Sequence, residues 1–261
     1  MTDAEKATNL SVERLPGSRR IRLSGTIAAK AEEQVLRLGI DDPAFHTTWR
    51  FVGMLQERGV KVTGYGPSYR SDAEDIEPPA EPVLAQLTPP PLAEDIVTIN
   101  KVSQNVHAEL LLRRLGAARD KPSVAGGLEA VRDMLGRAGV PERAATLADG
   151  SGMSPYNRVS PRGVVTMLRW AAGRPWGAAF RASLPIGGVD GTLARRFREG
   201  GLKGRIFAKT GSLTAANALS GYLLTARGET LVFSLIANDV PEEVRATAIM
   251  DEALGLIAAS R

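Results

Sequence analysis

The sequence predicts an α+β chain, and three observations carry that prediction. Helical spacing of apolar residues fills the middle, strand patterns gather ahead of a last helix, and a proline-rich acidic stretch separates both from a shorter amino-terminal segment. At 261 residues, 43% hydrophobic and 24% charged, the chain can bury a core of one large domain or two small ones.

Residues 9–27 read as a β-hairpin. Leu10 and Val12 alternate with polar residues, Pro16-Gly17-Ser18 supplies the turn, and Ile21 and Leu23 alternate between arginines. Asp42 then caps a helix whose first residue is Pro43 and whose apolar face holds Phe45, Trp49, Val52 and Leu55. Arg58-Gly59 closes it, and 60–63 reads as a strand. Residues 71–91 are acidic and carry Pro78, Pro79, Pro82 and Pro89 to Pro91, which suits an extended linker. The expected organisation is therefore a first segment at 1–70, the linker at 71–91, and a main segment at 92–261.

In the main segment Leu92, Ile96 and Ile99 follow helical spacing, and 106–115 is apolar enough for a buried helix. Leu128, Val131, Leu135 and Ala138 form a further stripe, and Ser160-Pro161 opens another helix through Val164 and Leu168. Residues 205–209, 218–225 and 231–237 read as strands, the last two joined at Arg227-Gly228. A final helix is expected from Pro241 toward Ile257.

Composition excludes several classes of function. The net charge is +4 but aromatics make up only 5%, against a surface that stacks bases, so no nucleic-acid partner is expected. Without cysteine there is neither disulfide nor thiol chemistry, and the two histidines, His46 and His107, have no ligand-type partners at metal spacing, so no metal is expected. No run reaches the roughly 20 apolar residues of a membrane span. Met1 to Thr8 is polar and unlike a signal peptide, so the chain as written would stay in the cytoplasm. Acidic residues cluster in 71–95 and basic ones in 195–209; the basic run is either a pocket for an anionic substrate or a solvated surface.

Two short motifs carry chemistry in combination. Lys209-Thr210-Gly211 ends a predicted strand, where the lysine offers a fixed positive charge and Thr210 and Ser212 offer hydroxyl donors to a carboxylate. Gly211 permits close backbone approach. Ser103-Gln104-Asn105 lies between two predicted helices, where Asn105 could simply cap the second. Each tripeptide alone is weak. The order S-x-N then K-T-G, preceded by S-x-x-K, is the set used by penicillin-recognising serine enzymes.

Longer segments sharpen the match. Asp149-Gly150-Ser151-Gly152-Met153-Ser154-Pro155-Tyr156-Asn157-Arg158-Val159-Ser160-Pro161 resembles the D-G-S-G-L-S-R-x-N-x-V-T-P segment of the D-alanyl-D-alanine carboxypeptidase/endopeptidase family, the class C low-molecular-mass penicillin-binding proteins. Pro185 to Leu193 and Ala208 to Leu213 resemble the same family, as does Ile99 to Asn105, where the family usually has S-D-N. The likeness runs from about Asn9 to Ala258. It implies an α+β penicillin-binding/serine β-lactamase-like fold, with an antiparallel sheet and a helical cluster, preceded by part of an inserted β-rich domain. It also implies hydrolysis of D-Ala-D-Ala in peptidoglycan stem peptides through an acyl-serine, penicillins as ligands, no cofactor, and a place of work outside the cytoplasmic membrane.

By the same resemblance Ser103 relays a proton, Asn105 bonds the substrate amide, and Lys209 polarises Ser103 and attracts the terminal carboxylate. Thr210 and Ser212 bind that carboxylate, and the Ser212 N–H supplies half of an oxyanion hole. Asp149, Gly150, Ser151 and Gly152 shape the site; Ser151 lacks the flanking glycines of a G-x-S-x-G nucleophile.

One motif is missing. A nucleophilic serine should stand three residues before a lysine, one helix turn away. The residues at that offset are Asp3, Ile27, Arg58, Thr98, Ala118, Gly200 and Ile206, and none is serine. The expectation is a carboxy-terminal portion of a longer enzyme, begun at an internal methionine and inactive alone. A serine β-lactamase of the same superfamily, or a non-catalytic fragment, are the alternatives.

Overall fold

The computed structural model describes residues 8–15, 18, 20–36, 38–40, 42–64, 82–241 and 243–259. The chain divides into two compact units, Met1–Ala85 and Gln86–Arg261.

In the first unit, β1 (Asn9–Glu13) pairs antiparallel with β2 (Arg22–Thr26), from Asn9 opposite Thr26 to Glu13 opposite Arg22. Pro16 and Gly17 of the predicted turn lie outside the described residues. Helix α1 (Pro43–Glu57) starts where expected: Asp42 accepts from the Phe45 N–H at 2.8 Å, and Pro43 loses nothing in the first turn, where its missing N–H has no partner to serve. Val52 is its buried residue, while Trp49 of the predicted apolar face is exposed. Residues 60–63 are not a strand. The Val60 N–H bonds back to the Leu55 carbonyl at 3.0 Å across Gly59, whose φ is +79°, so the end of α1 uses the donor that a strand would need.

Residues 82–90, across the division between the units, are irregular, and the predicted linker otherwise falls largely outside the described residues; the helices and main sheet that follow belong to the second unit. Helices α2 (Leu92–Val102), α3 (Asn105–Ala117) and α4 (Val124–Arg137) follow in succession. Strands β3 (Ala145–Thr146) and β4 (Arg158–Val159) close a short loop. Helix α5 (Pro161–Ala172) is capped by Ser160, whose hydroxyl accepts from the Gly163 N–H at 3.1 Å, and α6 (Gly177–Ser183) follows it. The main sheet is antiparallel, β5 (Ile206–Leu213), β6 (Ala216–Leu224) and β7 (Thr230–Asn238) in that order. Gly228 at φ +80° makes the β6–β7 turn, as the sequence predicts. Helix α7 (Ala246–Ala259) begins five residues after the expected Pro241.

Strand periodicity sorts the core onto two faces. Ile206, Ala208, Leu219 and Leu223 pack with Met250 and Leu254 of α7 on one side. Tyr222 packs with Leu168 and Leu184 on the other, and its hydroxyl donates to the Leu168 carbonyl at 2.8 Å. Burying each large side chain of this kind contributes about 1.5–3 kcal/mol. Helices α3 and α4 cross at backbone contact, for a Cβ on Gly127 would stand 2.1 Å from the Leu112 carbonyl oxygen.

The predicted buried helix at 106–115 is a helix but is not buried along its length. Leu112 is enclosed by α4, whereas Val106, Leu110 and Leu115 are exposed, because α4 covers only one side. No helix among the described residues is long and apolar enough to cross a membrane.

Candidate active site

Ser103 ends α2 in the left-handed conformation, at φ 60° and ψ 51°. A side chain in that region costs roughly 1–2 kcal/mol, and such strain concentrates at working sites. The consequence is an abrupt turn: α2 stops, Gln104 caps α3 through its side-chain oxygen and the Val106 N–H at 3.3 Å, and Asn105 occupies the exposed first position of α3. Asn105 is therefore not the cap that its residue type suggested.

Lys209 lies inside β5 rather than at its end. The strand continues through Thr210 and Gly211 to Leu213, paired with Ala216 to Ser220 of β6. The extension keeps Lys209, Thr210, Gly211 and Ser212 in register on a rigid element, with Lys209 opposite Ser220. The lysine Nζ donates to the Ser103 Oγ at 2.8 Å and to the Thr210 carbonyl at 2.8 Å. Burial holds its pKa below the ordinary lysine value, because the charged form has lost water. The two motifs, 106 residues apart, thus meet in one hydrogen bond.

Thr210 bonds to Thr192, Oγ1 to Oγ1, at 2.8 Å. The Ser212 hydroxyl is exposed and donates to Asn217 Oδ1 at 3.4 Å. Lys209, Thr210 and Ser212 present a cation and hydroxyls along one stretch of strand, a set suited to a carboxylate.

The 149–157 loop is built around Asp149. Its Oδ1 accepts from the Gly152 N–H at 2.7 Å and from Asn157 Nδ2 at 2.9 Å, and its Oδ2 accepts from the Ser154 N–H at 2.6 Å. Glu109 holds the same loop from α3, one oxygen accepting the N–H groups of Gly150 at 3.1 Å and Ser151 at 2.9 Å. Glu109 follows Asn105 by four residues and shares its helix face, so the loop is tied to the helix that Ser103-Gln104-Asn105 opens. The Ser151 hydroxyl accepts from the Met153 N–H at 3.4 Å, within a tight loop and not at a strand-to-helix elbow. Glu109 was not among the residues singled out in the sequence, and nothing local marks it.

The basic run at 195–209 is mostly solvated surface. Arg196 makes a two-pronged bond to Asp251, with Nη2 to Oδ1 at 2.5 Å and Nε to Oδ2 at 3.1 Å, and Arg195, Arg198 and Lys203 are exposed. Only Lys209 reaches Ser103.

The sequence profile of the D-Ala-D-Ala carboxypeptidase 3 (S13) family matches residues 1–259. The chain belongs to that family. It is 35% identical over 247 residues to the D-alanyl-D-alanine carboxypeptidase of Actinomadura sp. (strain R39), covering 90% of this chain and 44% of that protein. It is 37% identical over 164 residues to a carboxypeptidase of Mycobacterium tuberculosis, covering 60% of this chain and 35% of that one. The chain therefore spans less than half the length of these relatives. Penicillin-binding protein 4 (DacB) of Haemophilus influenzae, in a crystal structure with a β-lactam, superposes with a TM-score of 0.73 at 24% identity, over 97% of this chain and 58% of that one. The fold is thus the α+β penicillin-binding fold that the family resemblance implies.

Proposed function

We propose that this chain carries the carboxylate-binding and proton-relay part of a serine-type D-Ala-D-Ala carboxypeptidase/endopeptidase site acting on peptidoglycan stem peptides and on β-lactams. The observation that carries the reading is the 2.8 Å bond between Lys209 Nζ and Ser103 Oγ, with Thr210 and Ser212 next along the strand. The names of the matched carboxypeptidases and the β-lactam in the structure of the Haemophilus protein support it.

On this reading the D-Ala carboxylate lies along Thr210 and Ser212 in the field of Lys209. Asn105 donates to the amide carbonyl of the substrate. An attacking serine oxygen adds to the scissile carbonyl, whose developing negative charge is met by the Ser212 N–H. The proton released by the nucleophile passes through Ser103 to the departing D-Ala nitrogen, completing an acyl-serine. Lys209 keeps the Ser103 hydroxyl oriented for that transfer, since an ammonium that donates to Oγ leaves the hydroxyl hydrogen free to point away. Asp149, Gly150, Ser151 and Gly152 shape the neighbouring wall. The attacking serine is not in these 261 residues, for no serine stands three residues before a lysine. The chain alone is then inactive, since losing one member of a catalytic unit costs up to ~10⁶ in rate. Residues 1–70 would belong to an inserted accessory domain, and 92–261 to the carboxy-terminal part of the peptidase domain, working outside the cytoplasmic membrane.

Labelling of the purified chain with a fluorescent penicillin, read after denaturing electrophoresis, tests this. No covalent band is expected. A penicillin-dependent band that disappears with Ser151→Ala would assign the nucleophile within the chain and overturn the division of roles.

A further inference from the structure

Ser103 and Lys209 come from a helix end and a strand that are distant in sequence, and something must fix the gap between them. Two residues before Ser103, Lys101 reaches out of α2 and donates to Asp190 Oδ2 at 2.5 Å and to the Leu184 carbonyl at 3.1 Å. The lysine side chain is 18% exposed and the aspartate 36%, so the lysine is largely withdrawn from water and the aspartate only partly. Its neighbour Asn100 donates to the Ser183 hydroxyl at 2.7 Å, and that buried hydroxyl donates to the Phe180 carbonyl at 2.6 Å.

The segment that receives these contacts is itself fastened to β5. Asp190 Oδ1 accepts the Ile186 N–H at 2.8 Å, closing the loop on itself. The Gly187 N–H donates to the Ile206 carbonyl at 2.9 Å, and the Ala208 N–H to the Pro185 carbonyl at 3.0 Å. Gly191, at φ +57°, lets the α2 backbone come so close that a Cβ would stand 2.8 Å from the Lys101 carbonyl oxygen. Thr192, the next residue, holds the Thr210 hydroxyl. The end of α2, the 184–193 segment and β5 therefore form a braced triangle, and the Ser103–Lys209 bond spans its open corner.

We infer that Lys101 and Asp190 are positioning residues: their ion pair locks the end of α2 to the segment that is stitched to β5, and so sets the approach of Ser103 to Lys209 and of Thr192 to Thr210. The inference rests on the reading of Ser103 and Lys209 as a working pair, and its test needs no substrate or penicillin. A charge pair of this kind that served only to hold the fold would alter stability and leave the lysine on β5 untouched.

The experiment is the titration of Lys209 in the full chain carrying ¹³C-labelled lysine, its signal assigned by loss in Lys209→Met, with thermal melting recorded on the same samples. In the wild-type chain Lys209 titrates below the ordinary lysine value. In Lys101→Met and in Asp190→Asn, Ser103 withdraws, water reaches Nζ, and the Lys209 midpoint moves up toward the ordinary lysine value; Lys101→Arg, which keeps the cation, returns it part of the way. If Lys101→Met does not fold, Asp190→Asn carries the same reading with no change in side-chain size. A lowered melting temperature with an unmoved Lys209 midpoint would make the pair structural only and overturn the inference. If the chain fails to bind substrate yet Lys209 shifts as described, the clamp stands and the substrate assignment falls.

Discussion

The ammonium of Lys209 donates to the hydroxyl of Ser103 across 2.8 Å, joining a strand interior to a helix end 106 residues earlier. The bond has a cost on each side. Lys209 gives up water, and Ser103 holds a backbone conformation that side chains avoid.

The cost at Lys209 predicts a pH dependence. Its folded pKa is lowered below 10.5, so between the folded and unfolded values the unfolded chain binds more protons. Stability from this group therefore rises as pH climbs through that window and is level below it, where both states hold the proton. The slope cannot exceed about 1.4 kcal/mol per pH unit for one proton. Urea denaturation of the wild type and of Lys209→Met at a series of alkaline pH values should show this rise in the first and its loss in the second. Equal slopes would mean that Lys209 is not desolvated.

The cost at Ser103 predicts a difference between two variants that both lack the hydroxyl. Ser103→Ala keeps the strained Cβ and Ser103→Gly removes it. The glycine variant should be the more stable by about 1 kcal/mol, read as a shift in urea midpoint at constant slope. An alanine variant equal to or above glycine would contradict the left-handed end of α2.

The 149–157 loop predicts a hub. Asp149→Ala removes one acceptor carboxylate from the Gly152 and Ser154 N–H groups and from the Asn157 amide. The Gly152 N–H can turn to water and Asn157 keeps the Ser154 carbonyl, so the loss of about 1–3 kcal/mol falls chiefly on the part-buried Ser154 N–H. Glu109→Ala should loosen the same loop by releasing Gly150 and Ser151, while Glu109→Gln, which keeps an acceptor oxygen, should recover most of the loss. Limited proteolysis should show new cleavage in 149–157 for both alanine variants. A Glu109→Ala chain as resistant as wild type would remove α3 from the support of this loop.

What could be read in the sequence was what is local. Asp42 before Pro43, Ser160 before Pro161 and Gly228 in its turn each act within a few residues, and each stands where its chemistry predicts. The paired motifs were legible through their order and family likeness, not through any local force. Non-local pairing escaped. Nothing in the residues around Glu109 or Asp190 announces partners 41 or 89 positions away. Val60 reads as strand by composition, yet its N–H closes α1. The 106–115 segment is apolar enough to be buried, but burial depends on what lies opposite, and Val106 and Leu110 face outward.

We read Lys209, Thr210 and Ser212, with Ser103 alongside, as a carboxylate-recognising site. Titrating the isotopically labelled chain with D-alanyl-D-alanine and, separately, with its carboxyl-terminal amide, while following the NMR signals of those four residues, tests it most directly. Saturable shifts at Ser103, Lys209, Thr210 and Ser212 are expected with the free dipeptide, and roughly tenfold or more weaker binding of the amide, which lacks the carboxylate charge. Equal responses to the two peptides, or shifts confined to other parts of the chain, would contradict it.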